Sequence, residues 1–349
     1  MDELRVAIIG YGLGGSVFHG PLIDSTPGLA VAAVVTSNPE RAASARATHP
    51  DADLVASVDE LWGRASGHDL VVVTAANDAH VLLAERALES GLPVVVDKPL
   101  APTAAEARRL IERAEEAGRM LTVFHNRRWD SDQLTLRRLL AAGELGDVFR
   151  VESRFERWVP EFGSKPWRDR NPATEGGGVL LDLGTHLVDQ ALALFGPVER
   201  VHAQVASLRG APADDDAFVA LSHGSGVRSH ITVSMMTGAA GPRLRVNGTR
   251  GGFVVEGLDG QEDALRAGAR PGAGEWGVEP PERWGAVVRG DDRTRVASEP
   301  GNWPAFYAAV VAALRDGAPP PVDPRDAVAV LEVLEAARRS SETGTAVSL

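Results

Sequence analysis

The sequence predicts an α/β domain built on a doubly wound parallel sheet, followed by an α+β domain with a large open, mainly antiparallel sheet. Three observations carry this. Short segments that are apolar on both faces recur through the first third of the chain, separated by helical stretches. Past residue 145 the strands alternate instead, with one face wet. The 349 residues are too many for one ordinary core and suit two. The division is expected at 1–123 and 124–349.

The parallel strands are read at Val6–Ile9, Val31–Val35, Leu70–Val73, Val94–Val96 and Leu121–Phe124. Between them, Asn38 caps a helix with Pro39 at its first position. Asp78 is read as the cap of a helix through Ala87. Thr103 and Glu106 form a capping box for a helix ending at Gly118. The order β-α-β-α is that of a doubly wound sheet. Asp147–Trp158 puts Phe149, Val151, Ser153 and Phe155 on one face and charged residues on the other. Phe218–Leu221 with Val227–Val233, and Leu244–Val246 with Phe253–Val255, read as hairpins. Residues 257–301 are rich in Gly, Pro, Asp and Arg and read as a long irregular surface segment. Helices Trp303–Arg315 and Pro324–Ser341 follow.

Composition narrows the function. A net charge of -12 repels phosphate backbones, so nucleic acid is not an expected partner. With no cysteine, disulfides, thiolate nucleophiles and cysteine-ligated zinc are excluded. The chain opens on Met1-Asp2-Glu3-Leu4-Arg5, without the basic region and apolar core of a signal peptide. No apolar run approaches the roughly 20 residues a bilayer span needs. A cytoplasmic protein with no membrane partner is expected.

Gly10-Tyr11-Gly12-Leu13-Gly14-Gly15 follows the first strand and matches G-x-G-x-x-G at Gly10, Gly12 and Gly15. In that context the pattern reads as a dinucleotide-binding Rossmann turn. Glycine lets the backbone approach the pyrophosphate, and the following helix offers its N–H groups. The second strand ends in Thr36-Ser37-Asn38, with no carboxylate at its tip to hold a ribose 2′-hydroxyl. Ser37, Asn38 and Arg41 are available for a 2′-phosphate, which favours NADP over NAD. The other reading leaves Arg41 solvated and gives the ribose to Glu40.

Asp97-Lys98-Pro99 follows the Val94–Val96 run, at the carboxyl edge where ligands sit in such sheets. There Lys98 can bond a substrate hydroxyl, or it can be a surface lysine in a turn. Gly176-Gly177-Gly178 precedes a helix beginning near Leu180. Asp182 and His186 on it are four residues apart and share a face. His186 can take a hydroxyl proton and Asp182 can orient it or bind substrate. With Asp189 the same residues could ligate a metal, but no remote ligand completes the set, and no metal is expected. A plain helix start capped by Asp182 is the bland alternative. Asn126 and Arg127, in His125–Asp130, and Trp167-Arg168 could shape a polyol pocket or form salt bridges.

These residues together resemble the glucose–fructose oxidoreductase/inositol dehydrogenase/MocA (Gfo/Idh/MocA) family over essentially the whole chain. The resemblance rests on Gly10–Gly15, on Asp97-Lys98-Pro99 (Asp for the family's usual Glu), and on Asp182-x-Gly184-x-His186-x-x-Asp189. Phe18–Leu22, His125–Asp130 and Gly260–Gly268 look like the branch containing NADP-dependent scyllo-inositol dehydrogenases. Ala76 departs from the family's usual proline before the asparagine matched by Asn77. The resemblance implies that Lys98, Asp182 and His186 are catalytic. His186 would be the base and Lys98 would stabilise the alkoxide, or the two would exchange these roles, and Asp182 would hold the substrate hydroxyl or the lysine. It also implies a homodimer or homotetramer through the C-terminal sheet. The expected cofactor set is Gly10, Gly12, Leu13, Gly15, Ser37, Asn38, Arg41, Thr74, Asn77, His80 and Lys98. The expected substrate set is Asn126, Arg127, Trp167, Arg168, Asp182 and His186, for a sugar or cyclitol. Reduction of another carbonyl or an imine, a non-catalytic dinucleotide sensor, and a dinucleotide-type fold using another nucleotide cofactor such as a methyl donor or flavin, in which Lys98 would have no role, are the alternatives.

Overall fold

The apolar runs form one parallel sheet in the computed structural model, which describes residues 2–162, 168–169, 171–173, 176–272 and 274–349. Its strands are β1 (Leu4–Ile9), β2 (Leu29–Val35), β3 (Asp53–Val55), β4 (Leu70–Val73), β5 (Val94–Val96) and β6 (Leu121–Val123), in the order β3-β2-β1-β4-β5-β6. Every residue of β4 and β5 is fully buried, as helices on both faces require. β3 went unread in the sequence: it is a three-residue edge strand that begins on an exposed aspartate.

Between β1 and β2 the chain makes a π-helical turn, Gly14–His19, that continues as α1 (Gly20–Asp24). Helices α2 (Pro39–Thr48), α3 (Val58–Trp62), α4 (His80–Glu89) and α5 (Ala104–Ala117) complete the layers. Asn38 caps α2 by accepting the Arg41 N–H at 3.0 Å. Thr103 accepts the Glu106 N–H at 3.2 Å, and α5 stops at Gly118 with φ +60°. Asp78 does not cap α4. It lies inside a 3₁₀ turn, Asn77–Ala79, and α4 starts one turn later without a side-chain cap.

The second sheet is mixed and mainly antiparallel. After α6 (Ser131–Ala141) come β7 (Val148–Glu156), α7 (Thr185–Phe195), β8 (Val198–Ala206), β9 (Asp216–His223), β10 (Arg228–Ser234), β11 (Leu244–Gly248) and β12 (Gly251–Val255). With β13 (Ala286–Arg289), β14 (Asp292–Arg295) and β15 (Val347–Ser348), the strand order is β14-β13-β12-β11-β7-β10-β9-β8-β15, and among the described residues β7 and β10 pair in parallel. Val151, Ser153 and Phe155 of β7 are buried as the alternation requires, while Phe149 is exposed near the strand's start. Leu136, Leu139, Val151, Val246, Phe253 and Val287 pack in the core beneath this sheet.

Residues 257–301 are not irregular throughout. They contain α8 (Gln261–Arg266) and a hairpin of β13 (Ala286–Arg289) and β14 (Asp292–Arg295) turning at Gly290. All four residues of β14 are exposed, so no hydrophobic periodicity announced it. Helices α9 (Pro304–Asp316) and α10 (Pro324–Thr343) and the short β15 (Val347–Ser348) end the chain. Among the described residues no helix is long and apolar enough to cross a membrane.

By contacts the chain forms two interleaved units. One is Met1–Asn126 with Gln261–Trp276 and Asn302–Ala327; the other is Arg127–Gly260 with Gly277–Gly301 and Val328–Leu349. A single cut at 123/124 misses the two returns. In the first unit, Gln261 accepts from the indole of Trp276 (3.0 Å) and the backbone of Trp303 (2.8 Å). Trp303 also meets Phe18 edge to face.

Gly178 shows how tightly the second unit is built. Its φ is +94°, and a Cβ there would lie 2.1 Å from Asp214 Oδ1. Asp214 is held in place: its carboxylate accepts the Leu180 N–H (2.7 Å) and pairs with Arg338 (2.8 Å). Gly178→Ala is expected to destabilise the protein by about 2–4 kcal/mol through backbone strain and displacement of this carboxylate. Chemical denaturation of the variant would show this, and an unchanged midpoint would contradict it.

Candidate functional site

In the first unit the register of the sheet brings five strand ends to one line. Val35 pairs with Ile9, Ile9 with Val73, Val73 with Val96, and Val96 with Val123. The first residue past each of four strands is then tied to its neighbour. The N–H groups of Gly10, Thr74, Asp97 and Phe124 bond to the carbonyls of Val35, Ile9, Val73 and Val96 at 2.8–3.0 Å. The glycine loop, Thr74 and the Asp97-Lys98 turn therefore leave one edge of a rigid sheet, the edge where α/β proteins bind ligands.

The loop suits a dinucleotide. Gly10 has φ +94°, and a Cβ there would meet Thr74 O at 2.9 Å. A Cβ on Gly15 would lie 2.3 Å from Gly10 O. The Thr74 hydroxyl donates to Gly10 O at 2.7 Å and fixes the loop's path. Side chains are thus excluded where a pyrophosphate must approach the backbone. Arg41 stands over the loop: a Cβ built on Gly12 would be 3.8 Å from its guanidinium carbon. Ser37, Asn38 and Arg41 are exposed at the tip of β2, and Leu13 is half-buried at the start of the π-helical turn.

His80 braces the edge from within. It is 1% exposed, with Nδ1 2.7 Å from Pro99 O and Nε2 3.1 Å from Ala75 O. It joins the turn that carries Asn77 to the turn that carries Lys98, with a backbone carbonyl facing each ring nitrogen and one N–H of the neutral ring to donate between them. Lys98 is half-buried, and its peptide to Pro99 is cis. Asp97 Oδ1 accepts the Lys98 N–H at 2.8 Å. Asp97 Oδ2 lies 2.8 Å from where a Gly14 Cβ would be, so the carboxylate occupies the space that glycine leaves in the loop. Burial pushes the Asp97 carboxyl up, but His19, Lys98 and His80 outweigh it and hold the group below its ordinary value.

In the second unit, Asp182 lies in a π-helical turn, Leu180–Gly184, and His186 in the first turn of α7. Both are buried, at 3% and 7% exposure. Asp182 does not cap the helix; Asp214 takes that task from a distant loop through the Leu180 N–H. Asp182 instead lies 3.7 Å from Arg168, which is itself buried and donates to Asp169 at 2.9 Å. The His186 ring meets Phe155 edge to face at 6.2 Å. Phe155 in turn carries two guanidinium groups, Arg127 at 5.0 Å and Arg243 at 4.5 Å. Arg127 pairs with Asp130 (3.3 Å), Arg243 with Asp132 (3.5 Å), and Arg128 grips Asp189 through both oxygens. Asp189 thus serves an ion pair. Among the described residues no group of three or more His, Cys, Asp or Glu side chains is arranged for a metal ion.

The structure gathers Gly10, Gly12, Leu13, Gly15, Arg41, Thr74 and Lys98 around one sheet edge. It gathers Asp182, His186 and Arg168 around the start of α7. Asn126 is buried just past β6, whereas Arg127 belongs to the second unit. Trp167 lies outside the described residues. Sequence reasoning passed over Arg243 and Phe155 as site neighbours and over Asp214 as the cap. Each reaches the site from an element far away along the chain, with no local signal.

Burial lowers the pKa of His80, against the pull of the Pro99 carbonyl and Asp97. The folded state therefore favours the neutral ring. The stability it supplies is complete above the ordinary value of 6.5 and is lost as pH falls toward its lowered folded-state value. Melting temperatures at pH 8.0 and 5.5 should fall further in the wild type than in His80→Asn. Equal losses would mean that His80 does not titrate between them.

Residues 4–125 match the domain described as "Oxidoreductase family, NAD-binding Rossmann fold", and residues 137–349 the "Oxidoreductase family, C-terminal alpha/beta domain". The chain is 39% identical over 336 residues to the oxidoreductase YdgJ of Escherichia coli, covering 96% of this chain and 95% of that protein. It is 34% identical over 354 residues to the scyllo-inositol 2-dehydrogenase (NADP(+)) IolW of Bacillus subtilis, covering 100% and 97%. The structure of the oxidoreductase yvaA from Bacillus subtilis superposes with a TM-score of 0.92 at 34% identity, over 100% of this chain and 99% of that one. With the glycine loop and the lysine turn on one sheet edge, and both domains matched, this chain belongs to the Gfo/Idh/MocA oxidoreductases, NAD(P)-dependent enzymes acting on CH–OH groups.

Proposed function

We propose that the protein uses NADP to interconvert a secondary alcohol and a ketone on a cyclitol or sugar ring. The observation that carries the cofactor choice is Arg41, whose guanidinium stands over Gly12 beside a strand tip bearing Thr36, Ser37 and Asn38. A planar cation with hydroxyl and amide neighbours suits a 2′-phosphate. The substrate class follows the full-length relative named for scyllo-inositol and NADP.

Lys98 has a further argument behind it. All but two of the 36 cationic side chains are arginine, the lysines being Lys98 and Lys165. Arginine stays charged at any physiological pH, whereas an amine can shift its pKa and exchange its proton. A lysine at the sheet edge, in a chain with only one other lysine, is consistent with a task arginine cannot perform.

When bound, the nicotinamide accepts or donates the hydride. The chain supplies alignment and proton handling. The glycine loop would hold the pyrophosphate by its N–H groups, and Arg41 would hold the 2′-phosphate. Lys98 stabilises the developing alkoxide and His186 takes the hydroxyl proton, or the two exchange these roles. Asp182 holds the substrate hydroxyl, its charge balanced by Arg168.

Two measurements test this. Lys98→Met should lower kcat by about 100-fold or more while NADP binding stays within about twofold. Turnover near wild type would remove the scheme. Arg41→Ala should raise KM for NADP by about 10–100-fold and leave KM for NAD nearly unchanged. Equal effects on both cofactors would assign Arg41 no part in telling them apart. Both are read by reduced-nicotinamide absorbance against a panel of inositols and aldoses.

A further inference from the structure

The Asp97-Lys98 turn is backed, within the first unit, by a buried polar chain that none of the steps above employ. His19 is completely buried at the end of the π-helical turn. Its Nδ1 is 2.5 Å from the hydroxyl of Tyr307, on α9, which is also completely buried. Its ring lies on Phe124 with centroids 4.2 Å apart. Its Nε2 is buried, has no hydrogen-bond partner, and points to Asp97 Oδ2 at 3.8 Å.

For a neutral His19 ring, one arrangement of protons satisfies this chain. Burial, reinforced by Asp97, pushes the Tyr307 hydroxyl well above its ordinary pKa, so it remains a donor. Donating to Nδ1, it leaves the ring proton of the neutral imidazole on Nε2, facing the carboxylate. The reverse tautomer would set the Nε2 lone pair against Asp97. Phe124 and Tyr307 prevent the ring from turning away. Asp97 therefore sees a fixed N–H dipole on one side, while its other oxygen takes the backbone N–H of Lys98. Among the described residues His80 of α4 also acts on Asp97; its two ring nitrogens face backbone carbonyls, and as a neutral ring it donates to one of them.

We propose that His19, oriented by Tyr307, is a positioning residue that keeps the Asp97 carboxylate on the backbone of the lysine turn and against the glycine loop rather than on the Lys98 ammonium. Without His19, Oδ2 loses the group that directs it, and Lys98, whose charge already acts on this carboxylate, becomes the stronger pull on it. The lysine then holds its proton more tightly. The proposal rests on the reading of Lys98 as catalytic, and it gives a buried histidine a role in setting that lysine's readiness.

Because only two lysines are present, ¹⁵N-lysine labelling yields two side-chain signals, and Lys98→Met assigns them. Lys98 should titrate about one pH unit higher in His19→Phe than in the wild type. The limb of the kcat–pH profile that Lys98 controls should move by the same amount, with kcat at pH 7 about tenfold lower. His19→Gln, which restores an N–H donor toward Asp97, should recover more than half of the shift, and Tyr307→Phe should fall between. A Lys98 titration identical in wild type and His19→Phe overturns the proposal, as does a His19→Gln variant no better than the phenylalanine one. Histidine ¹⁵N shifts give an independent check: an Nδ1–H tautomer at His19 also overturns it. If these fail while Lys98→Met is inactive, the positioning role alone is wrong. If Lys98→Met turns over normally, Lys98 is not catalytic and the proposal falls with that reading.

Discussion

The chemistry of the first unit depends on the registered termination of its parallel strands. Parallel pairing allows strands to end level only if their residues are matched one to one, and the row Val35, Ile9, Val73, Val96 and Val123 does this. Each following N–H is then anchored to the neighbouring strand's last carbonyl. A glycine loop, a threonine, an aspartate and a lysine are presented as parts of one rigid surface, although they are separated by up to 88 residues from Gly10 to Lys98. The apolar interior of the sheet is what makes this accurate. Valines buried on both faces have few rotamers and hold the register at these ends, past the one irregularity of β1 against β2 between Val6 and Ala7.

On that surface, side chains fill spaces vacated by glycine. Asp97 lies where a Gly14 side chain would stand, and Arg41 stands over Gly12. The same economy appears in the second unit, where Asp214 fills the space beside Gly178 and caps the segment that carries Asp182. Beside Gly178 the absent side chain lets Asp214 reach the backbone N–H it serves, that of Leu180. The second unit also buries several ion pairs, among them Arg243 with Asp132 and Arg128 with Asp189. Such pairs add little net stability over apolar packing, but breaking one costs about 3–5 kcal/mol.

Much of this was legible in the sequence because local chemistry and final structure agree. The apolar runs, the Asn38 cap, the Thr103 cap and the glycine loop all signal themselves within a few neighbouring residues. The misses have the opposite character. β3 and β14 are short or solvated, and what sets them in place is pairing with a neighbour rather than their own pattern. The cap expected from Asp78 went to no side chain, because a 3₁₀ turn intervenes. Asp214, Arg243 and Tyr307 act across more than thirty residues of chain, so no spacing rule could pair them with Leu180, Phe155 or His19. The membership of Gln261–Trp276 and Asn302–Ala327 in the first unit is of the same kind.

That last feature bears on how the protein is made. Phe124 is packed edge to face against Phe306 at 4.9 Å, and His19 is bonded to Tyr307, so the inner layer of the first unit is closed by residues near the far end of the chain. A ribosome adds about 5–20 residues per second, so a nascent first unit waits on the order of ten seconds or more for its closing helix. Throughout that interval an aromatic and a buried-type histidine stand open to water. The amino-terminal segment is therefore the part most in need of protection during synthesis, although it is the part whose strands are most strongly encoded.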